Sequence, residues 1–364
     1  MQLYIGLDVH SKKTVYCCQD QDGKVLKRGS VPTSVKGFEQ LIAQAQLPMG
    51  TIIGLETGTQ SNWVSRLLAG MGMSPVVIEA RAVRAKARRI GQKSDGRDAF
   101  EICDGLRCGI YRSLVYVPDP EVQRLRTILS RRRHFVNKAT GQINAAKFLL
   151  RSVGLSDQAR TLTSEAAWEK LLSNPTLSEL RRYLEMHARM WILCTELVAI
   201  LDLELRQALG PFKEPVALLT SVPGVGPITA ATFVAVLGTP HRFPDSSRLA
   251  SYIGLVPSSY DSGETIRRGR ITKRGSSELR TMLCEAAHHT SKPTHPLNPY
   301  FRRVCAKSGY RKAVVCVARR LSGILYQMWR NNEVFDETKL NVVRSVKVKQ
   351  RTCYYELRQQ VANL

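Results

Sequence analysis

The chain is short of acid. Its 364 residues hold 30 Asp and Glu against 54 Lys and Arg, a formal net charge of +24. Net charge speaks of partners rather than of fold, and a surplus this large attracts polyphosphates, nucleic acid first among them. No apolar run reaches the 18 residues that a membrane span requires. The opening stretch "MQLYIGLDVHSKK" has no basic segment followed by a long apolar one, so a secretory signal is not expected. None of the nine cysteines forms a C-x-x-C pair. They are scattered, several in apolar helical stretches such as "AVVCVARRL". Without ligand spacing a zinc site is not expected, and reduced core thiols in a cytoplasmic protein are.

What is present falls into blocks. At this length more than one core is expected, and 43% hydrophobic residues suffice to fill them. The first hundred residues alternate strand and helix signals. "LYIGLDV" is a short apolar strand, and "TVYCCQ" and "VLKRGSV" flank the turn "DQDGK" as a hairpin. "SVKGFEQLIAQAQL" predicts a helix with Ser34 near its cap. "GTIIGLE" and "SPVVIEA" predict buried strands around the helix "SNWVSRLLAGMG". The pattern predicts an α/β domain with a mixed sheet. After "VPDPEV" the period becomes helical. Val122, Leu125, Leu129, Arg132, Val136, Ala139, Ile143, Ala146 and Leu150 form one heptad seam. Leu180, Leu184, His187, Trp191, Cys194, Val198, Leu201 and Leu205 form another. They predict either an antiparallel coiled-coil arm that joins subunits or two helices of an ordinary bundle.

A mainly α-helical region follows Pro211. "LLTSVPGVGPITAATFVAVLG" has the form of a helix-hairpin-helix, in which Gly224 and Gly226 would let the backbone approach a phosphate. The expected division is 1–115 for the α/β domain, 116–210 for the helical arm, 211–336 for the C-terminal domain and 337–364 for a basic tail.

The carboxylates carry the chemistry. Asp8 lies near the end of the first strand and Glu56 closes "GTIIGLE". Ligands of α/β sheets bind at strand C-terminal ends, so these two can meet there. Asp95 and Asp98 share one face of a helix that follows, with Glu101 and Asp104 a turn further on as rivals for the fourth place. Their mutual repulsion calls for a cation, and an all-oxygen set suits Mg²⁺ or Mn²⁺, one ion or two, able to clamp a phosphodiester. The basic run of Arg81, Arg84, Lys86, Arg88, Arg89 and Lys93 would hold the phosphate backbone. Taken singly, Asp8 could cap a turn, Glu56 could pair with an arginine, and Asp95 and Asp98 could serve the helix dipole.

"IGLDVHSKK", "IGLETG" and "KSDGRDA", in that order, resemble the RuvC-like, RNase H-like domain of the IS110 family of insertion-sequence transposases, relatives of the Piv-type DNA invertases. "YDSGETIRRGRITKRGSSELR" resembles that family's second block. The resemblance covers about residues 3 to 110 and 215 to 300, joined by a helical arm. It implies a four-carboxylate Mg²⁺ site at Asp8, Glu56, Asp95 and Asp98 and a serine nucleophile. It also implies DNA as substrate, a structured bridge RNA as guide, and a homo-oligomer, dimer or tetramer, away from membranes.

Ser262 matches the family's serine, with Ser258 and Ser259 as neighbours that could take its place. A serine attacking phosphorus would keep the DNA end as a phosphoserine ester, which conserves the bond for rejoining. Arg267, Arg268 and Arg270 would stabilise the phosphorane, and with Lys273 and Arg274 would hold the strand. The serine lies far from every carboxylate in sequence and would have to reach them by folding or by subunit assembly. Two other readings remain at this point: a junction-resolving nuclease without the serine step, and a non-catalytic nucleic-acid scaffold. A sugar-kinase phosphate loop is disfavoured because His10 stands where that loop needs glycine.

Overall fold

The structure, a computed structural model, describes residues 2–87, 94–112, 114–155, 162–262 and 265–341, with the backbone alone at Ala87, 260–262, 265–268 and Asn341. The chain divides after Asp119 into two compact units.

The first unit is built on a five-stranded sheet in the order β3-β2-β1-β4-β5. β1 (Leu3–Val9), β2 (Lys13–Asp20) and β3 (Val25–Pro32) form an antiparallel meander, in which the expected β2–β3 hairpin is extended by β1. β4 (Ile52–Glu56) and β5 (Ser74–Ile78) add in parallel. The sheet is therefore mixed, an architecture consistent with an RNase H-like domain. α1 (Val35–Gln44) begins at Ser34, whose hydroxyl accepts from the Gly37 amide. α2 (Ser61–Gly70) joins the two parallel strands, and a main core of Ile5, Leu7, Phe38, Leu41, Ile53, Leu55, Val64 and Leu68 fills the space between the helices and one sheet face.

α3 (Ala80–Ala87) follows β5, and α4 (Asp95–Arg107) lies across the opposite sheet face. Two glycines let it come close. A Cβ on Gly6 would fall on the Ala99 carbonyl oxygen and the Cys103 amide nitrogen, and one on Gly54 would press on Ile102 and Leu106. α4 thus has its seat where β1 and β4 carry no side chain.

The second unit opens with α5 (Pro120–Ser152), α6 (Glu165–Leu172) and α7 (Arg181–Ala208). α5 and α7 pack antiparallel. Arg132 pairs with Asp202 at 2.6 Å, and His187 meets Gln142 at 2.8 Å, so each seam's polar interruption finds a partner on the facing helix. At one end of the pair Trp168 and Trp191 anchor a core with Leu150, Leu162, Leu171 and Leu184. At the other end Leu125, Ile128, Leu129 and Leu205 meet Ala231 and Ala235 of α9.

α8 (Lys213–Thr220), α9 (Pro227–Leu237), α10 (Ser246–Ile253), α11 (Ser277–His288), α12 (Asn298–Ser308) and α13 (Tyr310–Asn331) enclose the remaining core around Phe233, Leu283, Leu321 and Tyr326. Between α10 and α11 the chain forms a two-stranded antiparallel ribbon, β6 (Pro257–Ser262) and β7 (Thr265–Ile271). The expectation of a mainly helical region did not include this ribbon. Among the described residues the eight cysteines are free thiols and no helix is long and apolar enough to cross a membrane.

Candidate active site

Asp8 stands one residue beyond the registered pair Leu7↔Leu55 of β1 and β4, which puts Glu56 beside it at the C-terminal ends of neighbouring parallel strands. Both lie on the face that Gly6 and Gly54 leave open to α4, because side chains alternate along a strand. α4 begins at this edge, so its first turn brings Asp95 and Asp98 to the same place.

Asp8 Oδ2 lies 3.1 Å from His10 Nε2, and the same imidazole nitrogen lies 3.6 Å from Asp95 Oδ1. Asp8, His10 and Asp95 each offer a ligand atom within 4.8 Å of the others. Burial raises the Asp8 carboxyl above its ordinary value; the His10 imidazole opposes this, while the charges of Asp98 and Asp95 push it further up. Three carboxylates therefore feel one another here, and His10 is the member that the sequence reading passed over. Its only sign was its place two residues after Asp8, where it had served to exclude a phosphate loop. Glu56 has the Arg84 guanidinium at 4.0 Å.

Glu101 and Asp104, the rivals for the fourth place, are engaged elsewhere. Lys86 Nζ reaches Glu101 at 3.1 Å and Asp104 at 2.6 Å, and Arg107 adds a bond to Asp104 at 2.8 Å. Burial pushes the Asp104 carboxyl up, but the hydrogen bonds from Lys86 and Arg107 outweigh it and hold it below the usual carboxylate range. Lys86 is thereby committed inside the protein, whereas Arg84 is largely exposed. Arg88, Arg89 and Lys93 lie outside the described residues.

In the second unit the "SVPGVG" turn joins α8 to α9. Gly224 has φ +82°, and a Cβ there would lie 3.0 Å from the His289 Cβ and 3.2 Å from the Ala286 carbonyl oxygen. Its close approach is to α11 and the turn that follows. The buried His295 secures this turn: Nε2 donates to the Pro223 carbonyl at 2.9 Å, and Nδ1 accepts from the Leu297 amide at 3.0 Å. Gly226, at the start of α9, has open space where a Cβ would sit.

Ser262 closes β6 and pairs with Thr265 across the ribbon. Arg267 and Arg268 lie on β7, and the structure gives the backbone of all three. Arg270 is exposed, and its carbonyl accepts from the Ser258 hydroxyl at 3.1 Å. Lys273 adopts φ +53°, and Lys273 and Arg274 are exposed in the loop that packs on Gly254. One guanidinium arm of Arg280 holds that loop through the carbonyls of Ile253, Arg274 and Gly275 at 2.9–3.2 Å. Ser262 belongs to the second unit and the four carboxylates to the first.

Two family models match the chain. One, for the DEDD transposases of IS110 elements and described as a transposase, spans residues 5–154. The other, the "Transposase IS116/IS110/IS902 family", spans 216–302. Among curated proteins, the transposase for insertion sequence element IS1111A of Coxiella burnetii is 26% identical over 91% of this chain and 90% of its own length. The transposase for insertion sequence element IS1328 of Yersinia enterocolitica is 28% identical over 78% of this chain and 82% of its own. A putative transposase, y4qE, of Sinorhizobium fredii is 27% identical over 79% and 71% respectively.

Proposed function

This chain belongs to the IS110/IS116/IS902 family of transposases, and from that premise we propose that it cuts and rejoins the DNA strands of its insertion sequence by phosphoryl transfer at a divalent-metal site. The observation that carries the reading is the convergence of Asp8, His10 and Asp95, with the Asp98 charge felt at Asp8, in a chain of net charge +24. A half-buried carboxylate pushed up by its neighbours is relieved by a cation, so the donor set fits one. Asp8, Asp95, Asp98 and Glu56 are the oxygen ligands of this reading, and His10 adds a nitrogen. Carboxylates suit Mg²⁺ and Mn²⁺ alike, and the imidazole tilts the site toward Mn²⁺. A divalent ion bound there would polarise the scissile phosphate and stabilise the oxygen that leaves it.

Ser262 is the proposed nucleophile. Its Oγ–P bond forms as a P–O bond to deoxyribose breaks; the serine proton passes to a base, and the freed sugar hydroxyl later reverses the step on a new partner. Support comes from the family match across 216–302 and from the arginine-rich strand β7 that pairs with β6. The reading extends to a structured bridge RNA as guide and to a homo-oligomer. A second apolar stripe on α7 supports the latter: Tyr183, Met186, Met190, Leu193 and Ile200 recur at heptad spacing and are 47% to 59% exposed.

The test separates the roles. Asp8→Ala should abolish strand cleavage with DNA binding retained. Ser262→Ala should abolish covalent protein–DNA adducts, detected as a shifted band after denaturation. Adducts that persist in the serine variant would remove the nucleophile. Cleavage without Asp8, or in EDTA, would remove the metal site.

A further inference from the structure

Beside the carboxylates the sheet face opens into a shallow groove of about 590 Å³, lined by Lys13, Arg28, Ser30, Ser94 and Asp95 among others. The strand register explains its make-up. Gly6 pairs with Cys17 and Cys17 with Arg28; Asp8 pairs with Val15 and Val15 with Ser30. Lys13 is two residues from Val15 on β2, so Lys13, Arg28 and Ser30 share the face of Asp8. α4 covers Cys17 of the first row and Val15 of the second through Ala99, Phe100 and Cys103, and leaves Lys13, Arg28 and Ser30 exposed at the margin. The Arg28 guanidinium rests 5.2 Å from the centre of the Phe100 ring, which steers it along the groove.

Among the described residues neither Lys13 nor Arg28 has a carboxylate within ion-pair distance, although Asp95 lines the same groove. Lys86, on the far side of α4, contrasts with them: it is held by two acids. Arg28 is a hydrogen-bond partner of the Cys17 thiol, whose acidity Cys103 and then Arg28 raise, but neither cation is neutralised by a carboxylate. Together they leave positive potential along the path by which an anion would reach the cluster. From β1 to β3 is two strand spacings, about 10 Å, which matches about three base-pair rises of about 3.4 Å along a duplex axis.

We propose that this groove seats the backbone of the DNA strand being cut, with Lys13 and Arg28 as the residues that position its phosphates next to Asp8. The assignment rests on the metal-site reading above, since the carboxylates fix which phosphate is the reacting one. Lys13 and Arg28 are positioning residues: they hold the neighbouring phosphates and offset the repulsion between the carboxylates and the strand.

The test is a photo-crosslink on the full-length protein in EDTA, so that no strand is cut. Ser30 is replaced by benzoylphenylalanine, and the probe is a labelled DNA duplex carrying the element's own terminus. A protein–DNA crosslink is expected, with its yield falling about tenfold or more in Lys13→Ala/Arg28→Ala. The salt slope of binding to the same probe should fall by about two, near one per cation removed. Lys13→Arg should keep the yield. Because Arg28 also rests on Phe100, Lys13→Gln alone is the second variant and should lower the yield without altering the melting temperature. No crosslink at position 30, or a yield indifferent to both cations, overturns the proposal. Mn²⁺ titration of the unsubstituted protein tells the two readings apart. No Mn²⁺ binding with an intact crosslink sinks the metal site, and Mn²⁺ binding without a crosslink sinks the groove alone.

Discussion

At the scale of single residues, the role proposed for Asp8 sets function against stability. Its carboxyl is pushed up by burial and by Asp98 and Asp95, with His10 as a partial counterweight. The charged form is thus disfavoured in the folded protein. Without metal, the stability linked to this group is complete below the ordinary Asp value, about 3.9. It is lost as pH rises through the raised folded value. Asp8→Asn should therefore raise the melting temperature of the metal-free protein near neutral pH, by about 1 kcal/mol or less in stability, while removing Mn²⁺ binding. Calorimetric titration of the unsubstituted protein should show Mn²⁺ affinity rising with pH through the same window and then levelling, because the ligand must be ionised. A lower melting temperature in the asparagine variant would contradict the assigned repulsion. Other residue-scale facts were illegible in sequence for a clear reason. Glu101 and Asp104 could compete for a ligand role until Lys86, fifteen and more positions away, was seen between them. His10 could join the site only once strand register and the first turn of α4 brought Asp95 to it.

At the scale of elements, α4 is held by what β1 and β4 lack. Gly6→Ala places a methyl group against backbone atoms of Ala99 and Cys103, which no side-chain rotation can relieve. The helix must lift, and Asp95 and Asp98 leave Asp8 with it. We expect a loss of about 2–3 kcal/mol in stability together with weaker Mn²⁺ binding; denaturant melts and metal titration check the pair. An unchanged metal affinity would mean that α4 does not set the site. The five strands of this sheet were legible because short apolar runs and the turn "DQDGK" mark them, and the facing seams of α5 and α7 because heptads persist over many turns. The β6–β7 ribbon was not legible. "PSSYDS" and "TIRRGRI" are polar strands with no apolar face to announce a core. α7 also holds its second stripe outside the seam that the sequence reading singled out. Leu193→Glu with Ile200→Glu should dissociate the oligomer, read as a drop in mass by light scattering, with helix content by circular dichroism unchanged. An oligomer that survives both charges would place the interface elsewhere.

At the scale of the whole molecule, a net charge of +24 attracts any nucleic acid, so affinity by itself says little about a guide. Salt separates the two cases. At about 1 M salt the screening length falls to about 3 Å, and attraction that depends on charge alone is largely released. A structured RNA recognised by its shape, its 2′-hydroxyls and stacked bases keeps contacts that salt weakens less. The protein purified from cells carrying its insertion sequence, then washed at about 1 M salt, should retain one discrete RNA transcribed from the element. Sequencing the bound fraction reads this directly, and adding that RNA back to stripped protein should restore cutting at the element's ends. A washed protein that holds only random fragments, yet cuts and rejoins its ends, would remove the guide. The carboxylate and serine chemistry would be untouched by that result, because it rests on Asp8, its neighbours and Ser262 rather than on how the target is found.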